Sequence, residues 1–284
     1  MMKSITETRP SPIAGHWYSG NAQILRTEIH NFLSNAILSN PGGDVIGVIA
    51  PHAGYRYSGQ TAAYAFQSVR NQHFDLVVIL SPFHSYHPAL ILTSAHEYYQ
   101  TPLGKIHVDQ ELIQLLITQT IPDSDFKMVK VAYDEEHSLE IELPFLQCTL
   151  EGDFSLLPLM VRSIDPRQSE MFAKCLFALI KDRNALIVAS TDLSHFYPQS
   201  VAERLDKEML DQIQSFSVQN VYRTEFEGKG YACGLGAVMI SMALSKMLGA
   251  DKIKILHHST SGIQTGDFSS VVGYGAGVFL KTNS

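Results

Sequence analysis

Cysteine is scarce in this chain: the three copies, Cys148, Cys175 and Cys233, are far apart and form no CxxC pair. An odd, scattered set excludes a disulfide framework and a zinc site built from four thiolates. Basic residues are also in deficit, with 21 Lys and Arg against 28 Asp and Glu and a formal net charge of −7. Without a basic patch there is no electrostatic footprint for DNA or RNA, so nucleic acid is not an expected partner. Long apolar runs are missing too. Stretches such as Leu76 to Leu80 and Ala237 to Leu244, the second broken by Ser241, fall short of the roughly 20 residues that cross a bilayer. The opening MMKSITETRP has no apolar h-region of a secretory signal. The expectation is a cytoplasmic protein in a reducing compartment, with no membrane association.

There is no Pro, Gly or Ser-rich linker, no low-complexity segment and no fixed-period repeat, so one domain over residues 1–284 is expected. Asn21 to Ile37 carries Ile24, Leu25, Ile29, Phe32 and Leu33 at helical spacing. Val45 to Ala50, Phe74 to Leu80, Ala89 to Thr93, Phe154 to Met160 and Ala185 to Ala189 read as short buried strands. Helical composition falls between them at Gln60 to Val69, Gln110 to Thr118, Leu139 to Cys148 and Ser169 to Lys181, then at Ser200 to Phe216 and Gly234 to Leu248. Ile253 to His258 and Val271 to Phe279 close the chain as two strands with no crossover helix, which predicts antiparallel pairing. Alternating β and α elements predict an α/β sandwich with a central mixed sheet flanked by helices.

What is abundant is histidine, with 12 copies against a single Trp. Neutral imidazole is the commonest metal ligand and the usual acid–base group near neutral pH. Three buried strands each run into a polar loop: VIGVIAPHAGY at His52, LVVILSPFHSYH at His84 and His87, and LIVASTDLSH at Asp192 and His195. In α/β sheets the loops at the carboxyl ends of neighbouring strands converge on one crevice, so these side chains can meet there. Asp192 and His195 suit a carboxylate that orients or binds and an imidazole that moves a proton. The same spacing also suits an N-cap, with Asp192 satisfying first-turn amides.

Cys233, in GYACGLGAV before an apolar helix, is the one cysteine in a setting that favours thiolate, the form that ligates metals or attacks. Cys148 and Cys175 lie in apolar helical sequence and read as small buried hydrophobes. EEHSLEIELPFL gathers Glu135, Glu136, His137, Glu140 and Glu142. Its acidic start complements a helix dipole, or it delivers His137 or Glu140 to the crevice. Trp17, Tyr18, Tyr55 and Tyr57 near these motifs either line a recognition groove or pack in the core.

The segments RPSPIAGHWY, PHAGYRYSG, SPFHSYH, EEHSLEIELPFL, STDLSHFYP and YACGLGAV, in this order over nearly the whole chain, resemble the Memo-like family of the AmmeMemoRadiSam group. The resemblance implies an architecture related to the class III extradiol dioxygenases, with a metal-binding crevice at one end. It places the family's metal-pocket histidines on His52 and His84 and its pocket cysteine on Cys233. Asp192 and His195 match the pair beside that pocket, with catalytic roles, and Tyr55, His137 and Trp17 are the expected substrate contacts. Where a dioxygenase has two His and a carboxylate, Cys233 takes the carboxylate's place. A softer thiolate points to Fe(II) first, with copper or zinc as alternatives. The implied activity is a metal-dependent, dioxygenase-like oxidoreductase; the competing expectation is a non-catalytic module that binds a peptide or small molecule in the same crevice. A third route has Cys233 as nucleophile and His195 as base. The family's gene associations name an AMMECR-like protein and a radical SAM enzyme as partners.

Overall fold

Leu76–Pro82, buried throughout, lies in the middle of the sheet, as a continuous apolar run requires of a strand covered on both faces. The computed structural model describes residues 6–120 and 127–282. The first elements are β1 (Thr8–Arg9), α1 (Ala22–Asn35), β2 (Asp44–Ala50), α2 (Tyr55–Gln67), β3 (Leu76–Pro82), β4 (Ile91–Ser94), β5 (Tyr98–Thr101), β6 (Gly104–His107), α3 (Gln110–Thr120) and β7 (Met128–Val131). They continue with α4 (Leu143–Thr149), β8 (Ser155–Val161), α5 (Pro166–Ile180), β9 (Ala185–Ser190), β10 (His195–Tyr197) and α6 (Gln199–Gln214). The last are α7 (Val218–Phe226), α8 (Leu235–Met247), β11 (Lys252–Thr260), α9 (Gly262–Thr265) and β12 (Val271–Lys281). Residues 1–5 and 283–284 lie outside the described residues, and with them the first half of MMKSITETRP and both ends of the expected 1–284 domain.

The large sheet runs β10-β12-β2-β9-β3-β8-β4-β7, with β11 paired to β12. Its centre, β2-β9-β3-β8, is parallel. β12 joins β2 and β11 antiparallel, and β4 joins β8 antiparallel, so the sheet is mixed. α1, α2 and α4 pack together, with α2 on β2, β11 and β12; α8 lies on β3 and β9 with α5 and α7 against it. This is the expected α/β architecture, a central mixed sheet flanked by helices. No helix among the described residues is long and apolar enough to cross a membrane.

Local chemistry sets the helix boundaries. Asn21 caps α1 by accepting from the amides of Gln23 and Ile24, and Leu25, Ile29 and Leu33 bury one stripe. Asp165 and Gln168 form a reciprocal capping box on α5, with Pro166 in its first turn. α8 is buried continuously from Ala237 to Ser245, which suits a helix apolar on all sides.

Beyond the short elements β7, β10 and α9, which the sequence reading did not anticipate, three features depart from it. The helix expected over Leu139 to Cys148 starts as a 3-10 turn, Glu140–Glu142, and becomes α-helical only at Leu143, because Pro144 has no amide to offer the preceding turn. α7 was not anticipated, although Ser217 caps it. The three-stranded sheet β1-β5-β6 was also missed, since strands of two to four residues are too short to show a period.

Candidate metal centre

Three neighbouring parallel strands end level with one another. Ala50 of β2 pairs with Ser190 of β9, and Leu80 of β3 pairs with Ala189 of β9. The loops that follow therefore present His52, Asp192 and His84 side by side at the carboxyl ends of β2, β9 and β3. The turn carrying Cys233 is clamped against β9: a Cβ on Gly234 would run into the Ser190 carbonyl oxygen, so only glycine permits the approach.

One ring nitrogen each from His52, His84 and His137 lies within 4.8 Å of the other two. The His84 and His137 rings stack at 4.7 Å between centroids, and His52 stands edge-on to both. Two of the rings are oriented by their Nδ1 atoms. His84 Nδ1 is 2.9 Å from Glu136 Oε1, and the His84 amide donates to Oε2 at 2.7 Å. Glu136 Oε1 also accepts from the amides of His137 and Ser138. His52 Nδ1 is 3.0 Å from Ser190 Oγ, whose hydroxyl lies 2.7 Å from both the Ser138 carbonyl and Glu142 Oε1. With Nδ1–H donated in both rings, each keeps an Nε2 lone pair, the arrangement seen when a carboxylate or hydroxyl orients a ligating histidine.

The electrostatics keep most of these rings neutral. Burial, then the charges on His137 and His84, push the His52 pKa well below its usual value. Burial brings His137 down to about 4. His84 is raised instead, by its hydrogen bond to Glu136. Burial pushes Glu136 up, but the His84 hydrogen bond and charge, with the His84 and Ser138 amides, outweigh it and hold the carboxyl well below the usual range.

A crevice of about 550 Å³ opens over this cluster, lined among others by Trp17, Tyr57, Asp192, His195, Phe196 and Tyr274. Asp192 is buried, accepts the His52 amide at 2.8 Å, and is raised to about 7 by burial. His195 places Nδ1 2.8 Å from the Leu193 carbonyl, and burial lowers its pKa. Asp192 therefore does not hydrogen-bond His195; the backbone orients that ring. Nor is Asp192 an N-cap, because the segment runs into β10 and not into a helix. Cys233 Sγ lies 3.1 Å from His52 Nε2 and 3.1 Å from the Asp192 amide. It touches the cluster through His52, but His137, not Cys233, completes the group with mutually close ligand atoms. Burial pushes the Cys233 thiol pKa up, so without a cation beside it the group is protonated.

Trp17 lines the crevice and lies 4.2 Å from the His137 ring. Tyr55, expected at the substrate, is instead 2% exposed and packs on Phe145 and Tyr18, its hydroxyl donating to the Ile141 carbonyl. It opens α2, and its side chain turns inward while Tyr57 faces the crevice. His87 accepts the Ala89 amide and stays outside the cluster. Glu140 pairs with Arg9. Cys148 and Cys175 are free and half-buried. Glu136, Ser190 and Glu142 were missed as supports; Glu136 and Glu142 stand in the EEHSLEIELPFL cluster, where an acidic helix start accounts for them equally well.

The family described as Memo-like protein matches residues 9–278. A MEMO1 family protein of Nitrosopumilus maritimus is 34% identical over 278 residues, covering 96% of this chain and 99% of that one. Another, from Methanococcoides burtonii, is 36% identical over 271 residues, covering 94% and 98%. A third, from Saccharolobus solfataricus, is 32% identical over 282 residues, covering 94% and 97%. Among solved structures, an uncharacterized protein from Escherichia coli K12 aligns with a TM-score of 0.45 at 13% identity, covering 83% of this chain and 100% of that one.

Proposed function

The chain belongs to the Memo-like family, and on that premise we propose that its crevice is a metal centre serving a metal-dependent, dioxygenase-like oxidoreductase. The observation behind this reading is the meeting of three ring nitrogens, from His52, His84 and His137, within 4.8 Å of one another beneath an open crevice. Nitrogens about 2.1 Å from a shared ion stand roughly 3–4 Å apart, so the cluster needs little closure to hold one. His52 and His84 are the fixed pair, and His137 and Cys233 complete the donor set. Neutral imidazoles with one thiol suit Fe(II), the first choice here, and also copper or zinc.

A bound iron or copper ion would supply Lewis-acid and one-electron chemistry, and zinc Lewis-acid chemistry alone. The chain's own residues handle protons and substrate. His195, with Nδ1–H committed to the Leu193 carbonyl and its pKa lowered, offers Nε2 as a proton acceptor at neutral pH. Asp192, at about 7, gives or takes a proton in the same range. Trp17, Tyr57 and Val272 present apolar surface that orients a substrate and excludes water.

Metal analysis of the full chain purified without air tests this reading. About one ion per chain is expected, lost in His52→Ala and His84→Ala and weakened in His137→Ala and Cys233→Ala. Metal retained at full stoichiometry by a His52→Ala/His84→Ala double variant overturns it.

One observation favours a second reading, a binding crevice without turnover. Phe196, which lines the crevice, has φ +64° and is 74% exposed, a strained backbone at an aromatic in solvent. Oxygen uptake by the ferrous protein with catechol or thiol substrates separates the two: uptake lost in His195→Ala supports the oxidoreductase, and no uptake with tight peptide or small-molecule binding supports the module.

A further inference from the structure

β8 is the fourth strand of the parallel row β2-β9-β3-β8, and its carboxyl end also delivers a polar side chain, Arg162. Arg162 lines a second cavity, of about 560 Å³, whose wall includes His84, Ser163, Tyr222, Tyr231 and Cys233. This cavity and the crevice share His84 and no other lining residue. Cys233, partly exposed, therefore stands in the partition between them: it lines the second cavity while its sulfur is 3.1 Å from His52, which lines the crevice.

The Arg162 guanidinium is fixed in place but not neutralised. Nη1 donates to the Ser85 carbonyl, and the group lies 5.2 Å from the centre of the Tyr86 ring. Among the described residues it forms no ion pair with a carboxylate. The one acid in the wall, Glu225, is occupied by the Ala232 amide at 2.9 Å. A guanidinium held by one nitrogen keeps a planar fork of N–H donors that matches a carboxylate in geometry and charge.

We propose that this cavity is a second binding site, for a small carboxylate, which it brings to Cys233 and His84 independently of what occupies the crevice. The site does not rest on the metal reading, because its wall and its cation are set by protein contacts alone.

Alkylation of the chelator-treated full chain at pH 7, followed at Cys233 by mass spectrometry, tests it. Iodoacetate carries the carboxylate and iodoacetamide is neutral; with both, sulfur forms a bond to the methylene carbon, iodide leaves and the thiol proton goes to solvent. Both react with the same thiolate, so their rate ratio cancels its ionisation. Normalised to mercaptoethanol, the ratio at Cys233 should favour iodoacetate about tenfold. It should fall to the mercaptoethanol value in Arg162→Gln and recover in Arg162→Lys, and malonate should slow labelling of the unaltered chain. A ratio at Cys233 equal to that of mercaptoethanol, no protection by malonate, or a ratio unchanged in Arg162→Gln overturns the proposal. The first two results need no variant, so a folding defect in Arg162→Gln leaves the test intact. A failure of metal binding does not touch this ratio.

Discussion

Two polar clusters flank the segment from Asp134 to Glu140, and they are built on opposite principles. In the first, Arg9 is 1% exposed and every guanidinium nitrogen is spent: Nε and Nη2 on the Asp134 carboxylate, Nη1 on Glu140, and Nη2 also on the carbonyls of Asp134 and Glu136. The second oxygen of Glu140 takes the hydroxyls of Ser11 and Tyr18. In the second cluster two imidazoles, His84 and His137, share one carboxylate, Glu136, the third, His52, rests on Ser190, and the two rings oriented through Nδ1, His52 and His84, keep an Nε2 lone pair. Arg9, Asp134 and Glu140 are buried, whereas of the imidazoles only His52 is, with His137 half-buried and His84 exposed. Only the imidazole cluster turns ring nitrogens of three histidines toward one another, within 4.8 Å, an arrangement that could hold a metal ion.

The comparison predicts a double dissociation. Arg9→Met should have the largest effect, about 3–5 kcal/mol of stability, because it leaves two buried carboxylates without their cation. Denaturant midpoints measure it, and the fraction that still folds should bind metal. Glu136→Gln comes next and acts in the other direction. Its amide group turns N–H toward donors that now meet carboxylate oxygen, so His84 loses its orientation. Metal affinity should fall about 10–100-fold by competition titration. Undiminished affinity would mean that Glu136 supports the fold and not the centre.

The strand-end half of this site was legible in the sequence, because apolar runs that stop at Pro51-His52, Pro82-Phe83-His84 and Thr191-Asp192 announce buried parallel strands with polar carboxyl ends. The loop half was not. EEH reads equally well as the start of a helix, and what turns it toward His84 is Arg9, whose partner Asp134 is 125 positions away. Tyr55 shows the converse limit: composition places an aromatic near His52, but the first turn of α2 decides that Tyr55 enters the core and Tyr57 the crevice. The setting of Cys233 before an apolar helix marks it out in the sequence and the resemblance to a known family puts it in the metal pocket, but only the fold shows that it lines a different cavity from the one His52 lines.

Acidification probes the imidazole cluster with a smaller effect. His52 and His137 have folded pKa values below the usual 6.5, His137 near 4, so each contributes stability that is present above pH 6.5 and lost as the pH falls from there. His84, raised, behaves oppositely: its contribution is present below 6.5 and lost as the pH rises through its folded value. Of the three rings, therefore, only His52 and His137 change between pH 6.5 and about 4; Asp192, raised to about 7, changes with the opposite sign in the same range but equally in both proteins, so it cancels from the comparison with a His137 variant. Metal-free protein should lose stability about 1.4 kcal/mol per pH unit more steeply than His137→Gln in that window. Equal slopes would mean that His137 is solvated.

The smallest effect isolates the closed cluster without dismantling it. Tyr18→Phe deletes one donor to Glu140 Oε1, at 2.7 Å, while Ser11 still donates to the same oxygen and Arg9 to the other. Because the carboxylate stays paired, the cost should be about 1.5 kcal/mol, at the lower end for a hydrogen bond to a charged group. Metal affinity should not change, since no hydrogen bond of Tyr18 reaches Glu136, His84 or Ser190. A loss of metal in Tyr18→Phe would join the two clusters into one cooperative unit, and the segment from Asp134 to Glu140 would then transmit strain between them instead of insulating one from the other.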